Sequence, residues 1–358
     1  MAGSIRPRPA VLPVRASIVD VAKAAGVSVA TVSRALRGLP NVSTSTRERV
    51  LSAAQELEYT ASPLAAALVT GRTRSVGVIA SYTDRWFFAE VLRGIEEGLR
   101  DRGYDLVLHV LPEGIRRDLF FTGLPVRRRV DALVVAGLRL TGPELATLRQ
   151  LQLPIACVGE ALEGIYSERI DNEAAARIAV QHLIDLGHTR IAMIGGAPDG
   201  DPLSAPAGRS RGYRAALAEA GLEPAAVLDG GFTPAGGAGA MADLLARGPL
   251  PTAVFCQSDE MAFGALQTIR RAGLRCPETI SVIGFDDHEL AAAFDLTTIG
   301  QPIRLQGASA ARRLTAVLDH PAVPDHPAIE VANGPEALHP VRLVLRGSTA
   351  AIGPDSSR

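Results

Sequence analysis

Ser28, Val29, Ala30, Thr31, Ser33 and Arg34 stand close together, with Asn41 a short step on. A guanidinium donates two parallel hydrogen bonds to paired acceptors such as those on the guanine edge, and small apolar side chains pack on thymine methyl groups. Hydroxyls and amides hold phosphate oxygens, which position a duplex without reading it. Val29, Ala30 and Arg34 therefore have the types expected at base edges. Ser28, Thr31, Ser33 and Asn41 have those expected at phosphates. Catalysis finds no comparable set: there is no HExxH, phosphate-binding Walker loop, GxSxG or kinase pattern. The glycines at 230–231 and 236–239 do not form GxGxxG after a strand. The seven histidines, His182 and His188 among them, lack ligand spacing. The three cysteines, Cys157, Cys256 and Cys276, lie far apart, which argues against a disulfide framework or a zinc site. No enzyme activity, cofactor or metal is expected.

The elements that must position the first group are short helices. Ser17 can cap a helix ending at Gly26, and Ser28 can cap a second over residues 29–36. A third starts near Ser43, with Val50, Leu51, Ala54 and Leu57 at helical spacing. Two short helices joined by a glycine turn read as a helix-turn-helix, whose second helix fits the major groove. The plain alternative is a three-helix bundle with solvated arginines. Charge favours an anionic partner at this end. Residues 1–74 carry ten Lys/Arg against four Asp/Glu, whereas the rest carries 27 against 34.

The 358 residues suffice for two or three domains. No apolar run reaches the ~18 residues of a membrane span, and residues 1–16 lack the apolar stretch of a secretory signal. They read as a disordered basic tail. Beyond Arg74, apolar runs at 76–80, 106–111, 132–136, 155–158, 191–195, 253–256 and 281–285 alternate with helical stretches at 88–102, 141–151, 174–186, 211–220, 238–247 and 260–272. Such alternation implies parallel sheets covered by helices, and the number of units exceeds one ordinary sheet. The expected fold is α/β, with two doubly wound subdomains and a ligand cleft at the carboxyl ends of the strands.

The stretches DVAKAAGVSVATVSRALRG and VSTSTRERVLSAAQELEY resemble the head of LacI/GalR-family transcriptional regulators. Across the core, VDALVVAG, LPIACVGE, RIDNEAAARIAVQHLIDLGHTRIAMIGG, FCQSDEMAFGAL, ISVIGFDD, LTTIGQP and HPVRLVLRGST follow in family order. The resemblance implies a helix-turn-helix domain at 17–60, a hinge at 61–74 and a periplasmic-binding-protein-like core at 75–350, with a tail at 351–358. The core's N-subdomain would span about 75–170 and 296–328, its C-subdomain about 171–295 and 329–350. In the hinge, Leu68 matches a leucine that wedges into the minor groove, although the family's proline stands two residues earlier and its usual arginine is replaced by Ala66.

The resemblance also marks effector residues. Arg209 matches an effector arginine, Asp286 a carboxylate that accepts from ligand, and Phe232 an aromatic against the ring. Ser258 and Asp259 follow a strand in the same way. Trp86, Phe87 and Phe88 follow the first strand of the other lobe, and Gln301 lies in a crossover. Asp259 and Asp286 could equally be turn or cap residues, Phe87 and Phe88 core, and Arg209 an ion-pair partner. Glu160 and Arg139, also at strand ends, are left unassigned. The implied protein is a cytoplasmic repressor, a homodimer on a near-palindromic double-stranded DNA operator, controlled by a sugar, with no membrane partner. A nucleobase or other metabolite is the alternative effector, and a solute-binding protein without DNA function the remote one.

Overall fold

The structure is a computed structural model that describes residues 16–59, 71–111, 115–196, 204–319 and 336–352. The tail at 1–15, nearly all of the hinge with Leu68, and the last residues lie outside this range. The chain divides into two units, residues 1–73 and 74–358.

The head has three helices: α1 (Ile18–Ala25), α2 (Val29–Leu36) and α3 (Thr44–Glu56). Ser17 caps α1 reciprocally with Asp20, and Gly26 ends it in the left-handed region at φ 64°. Ser28 and Ser43 cap α2 and α3 by accepting from the N–H groups of Thr31 and Thr46. The core is built of small residues: Val21, Ala22, Ala25, Val32, Ala35, Val50, Ala53 and Ala54. Two residues expected to share it do not. Leu51 is 48% exposed and Leu57 36%. The buried face of α3 is Val50, Ala53 and Ala54, so Leu51 lies a hundred-degree step round from Val50, and Leu57 stands past the helix end.

The core unit holds two six-stranded sheets. In chain order its elements are β1 (Ser75–Ala80), α4 (Trp86–Arg100), β2 (Asp105–Val110), α5 (Ile115–Gly123), β3 (Ala132–Ala136), α6 (Gly142–Arg149), β4 (Ile155–Val158), β5 (Tyr166–Ile170), α7 (Asn172–Asp185), β6 (Ile191–Gly195), α8 (Ala205–Glu219), β7 (Ala226–Asp229), α9 (Pro234–Ala246), β8 (Ala253–Cys256), α10 (Asp259–Arg271), β9 (Ser281–Asp286), β10 (Thr297–Gly300), α11 (Ile303–Asp319), β11 (Ala337–His339) and β12 (Arg342–Val344). The first sheet runs β11-β5-β4-β3-β1-β2 and the second β12-β10-β9-β8-β6-β7. All pairings are parallel except β10 with β12. Strands β3, β4, β6, β8 and β9 are buried along their whole length, which is why they read as unbroken apolar runs.

The lobe boundaries differ from those expected. Thr297–Gly300 pairs in register with Ile283–Asp286 and so belongs to the second sheet; the chain returns to the first lobe only at Gln301 and Pro302. Ala337–His339 pairs with Glu168–Ile170 in the first sheet, and Arg342–Val344 is back in the second, across Pro340. Strands β5, β7, β10, β11 and β12 and helices α5 and α11 add to the expected set. β5 carries Glu168 inside the lobe, where its carboxylate accepts from the Tyr166 hydroxyl (2.5 Å) and meets the His339 ring (2.5 Å). No helix among the described residues is long and apolar enough to cross a membrane.

Helices α7 and α8 approach at Gly212, where a Cβ would overlap the carbonyl of Glu173. Gly212→Ala must push the two helices apart, at a cost of about 1–3 kcal/mol. Thermal unfolding should show a drop of several degrees; an unchanged midpoint would mean that the close approach is dispensable.

Candidate functional site

A cavity of about 210 Å³ lies between the two sheets of the core. Its walls come from residues that follow strand ends: Tyr82, Arg85, Phe87 and Phe88 after β1, Gly137 after β3, and Gly159 and Glu160 after β4. Asn172 follows β5, Phe232 β7, Ser258 β8 and Gln301 β10, while Asp286 closes β9. In a parallel sheet all carboxyl ends share one edge, so two such sheets facing each other collect these residues in one cleft.

Arg209 projects from α8 and is 7% exposed. Its Nε donates to Asn172 Oδ1 (2.9 Å) and one Nη to the Gln257 carbonyl (2.5 Å). The other Nη lies 3.7 Å from Asp286 Oδ1, and the guanidinium rests 3.7 Å from the Phe285 ring centroid. Burial pulls its basicity down, and Asp286, Glu160 and Asp259 pull it back. These partners fix the plane of the guanidinium fork. Asp286 accepts from Gln301 Nε2 (2.7 Å), and Gln301 in turn accepts from Gln306 (3.2 Å). Burial pushes the Asp286 carboxyl up to about 6, with Arg209 and Gln301 opposing. Its φ of 115° is a strained conformation for a side chain-bearing residue.

Across the cleft, Glu160 of the first lobe accepts the Ala205 N–H at the start of α8 with both oxygens (3.2 Å each). A carboxylate there is favoured by the helix dipole. Burial and then Asp286 raise the Glu260 carboxyl, while the Trp86 backbone beside it acts the other way. Three carboxylates, Glu160, Glu260 and Asp286, line the cavity against two guanidiniums, Arg85 and Arg209.

Of the effector candidates, the cavity brings together Arg209, Asp286, Phe232, Phe87, Phe88, Ser258 and Gln301. Phe88 also belongs to the first lobe's core, and Ser258 also caps α10. Two candidates stand elsewhere. Asp259 is 1% exposed beneath the cleft, where it accepts from the Thr298 hydroxyl (2.6 Å) and the His288 N–H (2.7 Å); Gly284 leaves room for its carboxylate, which a Cβ there would overlap. Trp86 stacks on His288 of the other lobe, ring centroids 4.6 Å apart, rather than lining the cavity. The aromatic face turned to the cavity belongs instead to Phe87, Phe88, Phe232 and Tyr82. Glu160, Asn172, Glu260, Arg85 and Tyr82 were not expected there. Asn172 was hidden because β5 carries charged residues and does not read as a strand. The remaining four adjoin expected positions or a strand end, so the sequence does carry a signal for them.

In the head, Val29 and Ala30 are exposed at the start of α2, and Arg34 is exposed one turn on with no partner among the described residues. Ser28 and Thr31 are joined through their hydroxyls (2.9 Å), and the Ser28 oxygen also accepts the Thr31 N–H of the cap (3.1 Å). Ser33 is half-buried, and its carbonyl accepts from Arg37 Nε (3.1 Å). Asn41 is exposed in the turn before α3, with φ 71°, a conformation asparagine tolerates better than most.

A three-helix head with a free second helix, followed by a two-lobed core with a buried cleft, defines a DNA-binding regulator with a ligand-binding domain. Residues 17–62 match the family of bacterial regulatory proteins, lacI family, and residues 180–349 match a periplasmic binding protein-like domain. The HTH-type transcriptional regulator CelR of Thermobifida fusca is 36% identical over 345 residues, covering 92% of this chain and 96% of CelR. The lac repressor dimer bound to operator and the anti-inducer ONPF superposes with a TM-score of 0.82 at 28% identity, over 94% of this chain and 99% of that one. The CelR–cellobiose complex does so at 0.67 and 32%, over 93% and 100%. The chain belongs to the lacI family of bacterial transcriptional regulators.

Because the Asp286 carboxyl is raised in the folded state, its ionisation opposes folding. Its contribution is most favourable below its ordinary value of 3.8 and is lost as pH rises towards about 6. The unfolding free energy of the wild type relative to Asp286→Asn should therefore decline across that window and level off above it. Denaturant titrations at stepped pH test this; a constant difference would mean that the carboxyl ionises as an exposed one does.

Proposed function

We propose that this regulator is a cytoplasmic, non-enzymatic repressor, that its cleft takes a neutral sugar, and that two copies place their heads on inverted half-sites of an operator. The observation that carries the sugar is the pairing of Arg209 with Asp286 in a cavity walled by phenyl rings and holding more carboxylates than guanidiniums. Sugar hydroxyls donate to carboxylates, accept from a guanidinium fork and leave a C–H face for aromatic rings. A phosphorylated or otherwise anionic ligand meets Glu160, Glu260 and Asp286 at close range and is disfavoured. CelR, whose complex holds cellobiose, supports the same class of ligand. Arg34 with Val29 and Ala30 reads bases from α2, and Ser28, Thr31, Ser33 and Asn41 hold phosphates. The effector alters DNA affinity by as much as its own affinity differs between the two states of the core.

A thermal-shift panel of cellobiose, ribose, further mono- and disaccharides, sugar phosphates and nucleobases tests the ligand class. A neutral sugar should stabilise the wild type, by about 2.7 kcal/mol at a hundredfold excess over Kd, and leave Arg209→Ala unmoved. Stabilisation by a sugar phosphate or nucleobase alone would overturn the reading. For the head, Arg34→Ala should weaken binding to a selected operator by about 1–3 kcal/mol and relax one base position. An unchanged site preference would remove Arg34 from base reading.

A further inference from the structure

Several exposed arginines of the core stand beside acids, as Arg100 does with Glu96 and Arg177 with Glu219. The run Arg127-Arg128-Arg129 does not. All three are exposed, and none has an acid partner or a side-chain hydrogen bond among the described residues. The loop that carries them is held firmly. Val126 and Val130 on either side are buried, and the N–H groups of Arg127 and Arg129 donate to the carbonyls of Leu124 (2.9 Å) and Val126 (3.0 Å). Arg128 sits at φ 59°, a left-handed conformation that costs a long side chain free energy. Three adjacent like charges also repel one another. No ion pair or side-chain hydrogen bond among the described residues offsets either cost, and the run goes against the acidic balance of the chain beyond residue 74.

Position in the sheet indicates the partner. β1, β2 and β3 are parallel, with Val76 level with Leu106 and Ala132. The loop before β3 therefore lies on the edge where β1 begins, at the end of the strands opposite the ligand cleft. At its base Asp131 accepts from the Arg74 N–H (2.8 Å) and donates its own N–H to the Ser75 carbonyl (2.7 Å). These are the residues by which the chain leaves the core towards the head. A preorganised polycation beside that junction fits the phosphates of a nucleic acid, whose charge density rewards closely spaced arginines.

We propose that Arg127, Arg128 and Arg129 are a second DNA-binding element, carried by the core, which holds phosphates of the duplex that the head reads and takes no part in base recognition. The proposal rests on DNA binding by the head.

The test uses full-length protein and two labelled duplexes: one that the wild type itself selects from a random-sequence pool, and a scrambled version of it. Fluorescence anisotropy from ~50 to ~200 mM salt gives the slope of log K against log salt. One variant combines Arg127→Ser, Arg128→Asn and Arg129→Ser, with asparagine chosen because it accepts the left-handed backbone. A control removes the same charge from exposed positions of the second lobe, Arg190→Ser, Arg214→Ser and Arg247→Ser. The loop variant should bind both duplexes more weakly by a similar factor. Its slope should become shallower by about 0.9 for each phosphate no longer neutralised, while the control keeps the wild-type slope. Equal slopes in all three proteins, or equal weakening in both variants, would overturn the proposal. A loop that serves an acidic protein partner instead would leave every DNA value unchanged and so counts against it. Failure of the wild type to prefer its selected duplex would be a different result, since it would remove the head's role before the loop is considered.

Discussion

A guanidinium buried as deeply as that of Arg209 is tolerable only where its lost hydration is replaced, since an unpaired buried charge costs several kcal/mol. Here the replacement comes from three separate places: the Asn172 side chain at the start of α7, the Gln257 carbonyl after β8, and the end of β9, which supplies both the Asp286 carboxylate and the face of Phe285. Each must arrive within an ångström or so of its place, so one side chain ties helix α8 to the ends of neighbouring strands. The glycine at 212 belongs to the same requirement, because a larger residue would hold α8 away from α7 and lift Arg209 from Asn172. The cleft is thus polar, with its donors and acceptors held by the helices and strand ends around it.

Contacts that bridge the two lobes lie beside this centre. Glu160 lies on the N-terminus of α8, and Trp86 stacks on His288. Asp259, although outside the cavity, holds the His288 turn through its backbone N–H, so a buried carboxylate supports the stack from below. A ligand that competes for Glu160 alters how firmly the lobes are joined. That gives effector binding a physical route to the core's conformation without requiring contact with the head.

The head works under the opposite constraint. Its core is mostly alanine and valine, and little apolar area is buried, so the serine caps on all three helices matter more than they would in a larger domain. The same small residues leave the N-terminal turn of α2 unobstructed, with Val29, Ala30 and Arg34 facing solvent.

Much of this was legible along the chain. The caps at Ser17, Ser28 and Ser43, the glycine stop at Gly26 and the unbroken apolar strands are local signals, set by backbone hydrogen bonding and by the period of burial. Residues that follow a strand end, such as Asp286 and Phe232, could be placed near a cleft for the same reason. The strands β5, β10, β11 and β12 were not legible, because the pairing of Glu168 with His339 and the partners of the β10 threonines come from distant segments. Nor could the crossings at Pro302 and Pro340 be located, since register between remote strands is a property of the assembled sheet. The neighbouring carboxylates of Asp259 and Asp286 are the sharpest case. Both follow or end a strand, and type and spacing do not separate them. One became a buried prop and the other a wall of the cleft. The sequence alone determined which residue types could bind DNA and ligand and roughly where along the chain they fall. Only the tertiary structure decided which of them share a cavity, because that depends on which side chains the packed lobes leave facing the same space.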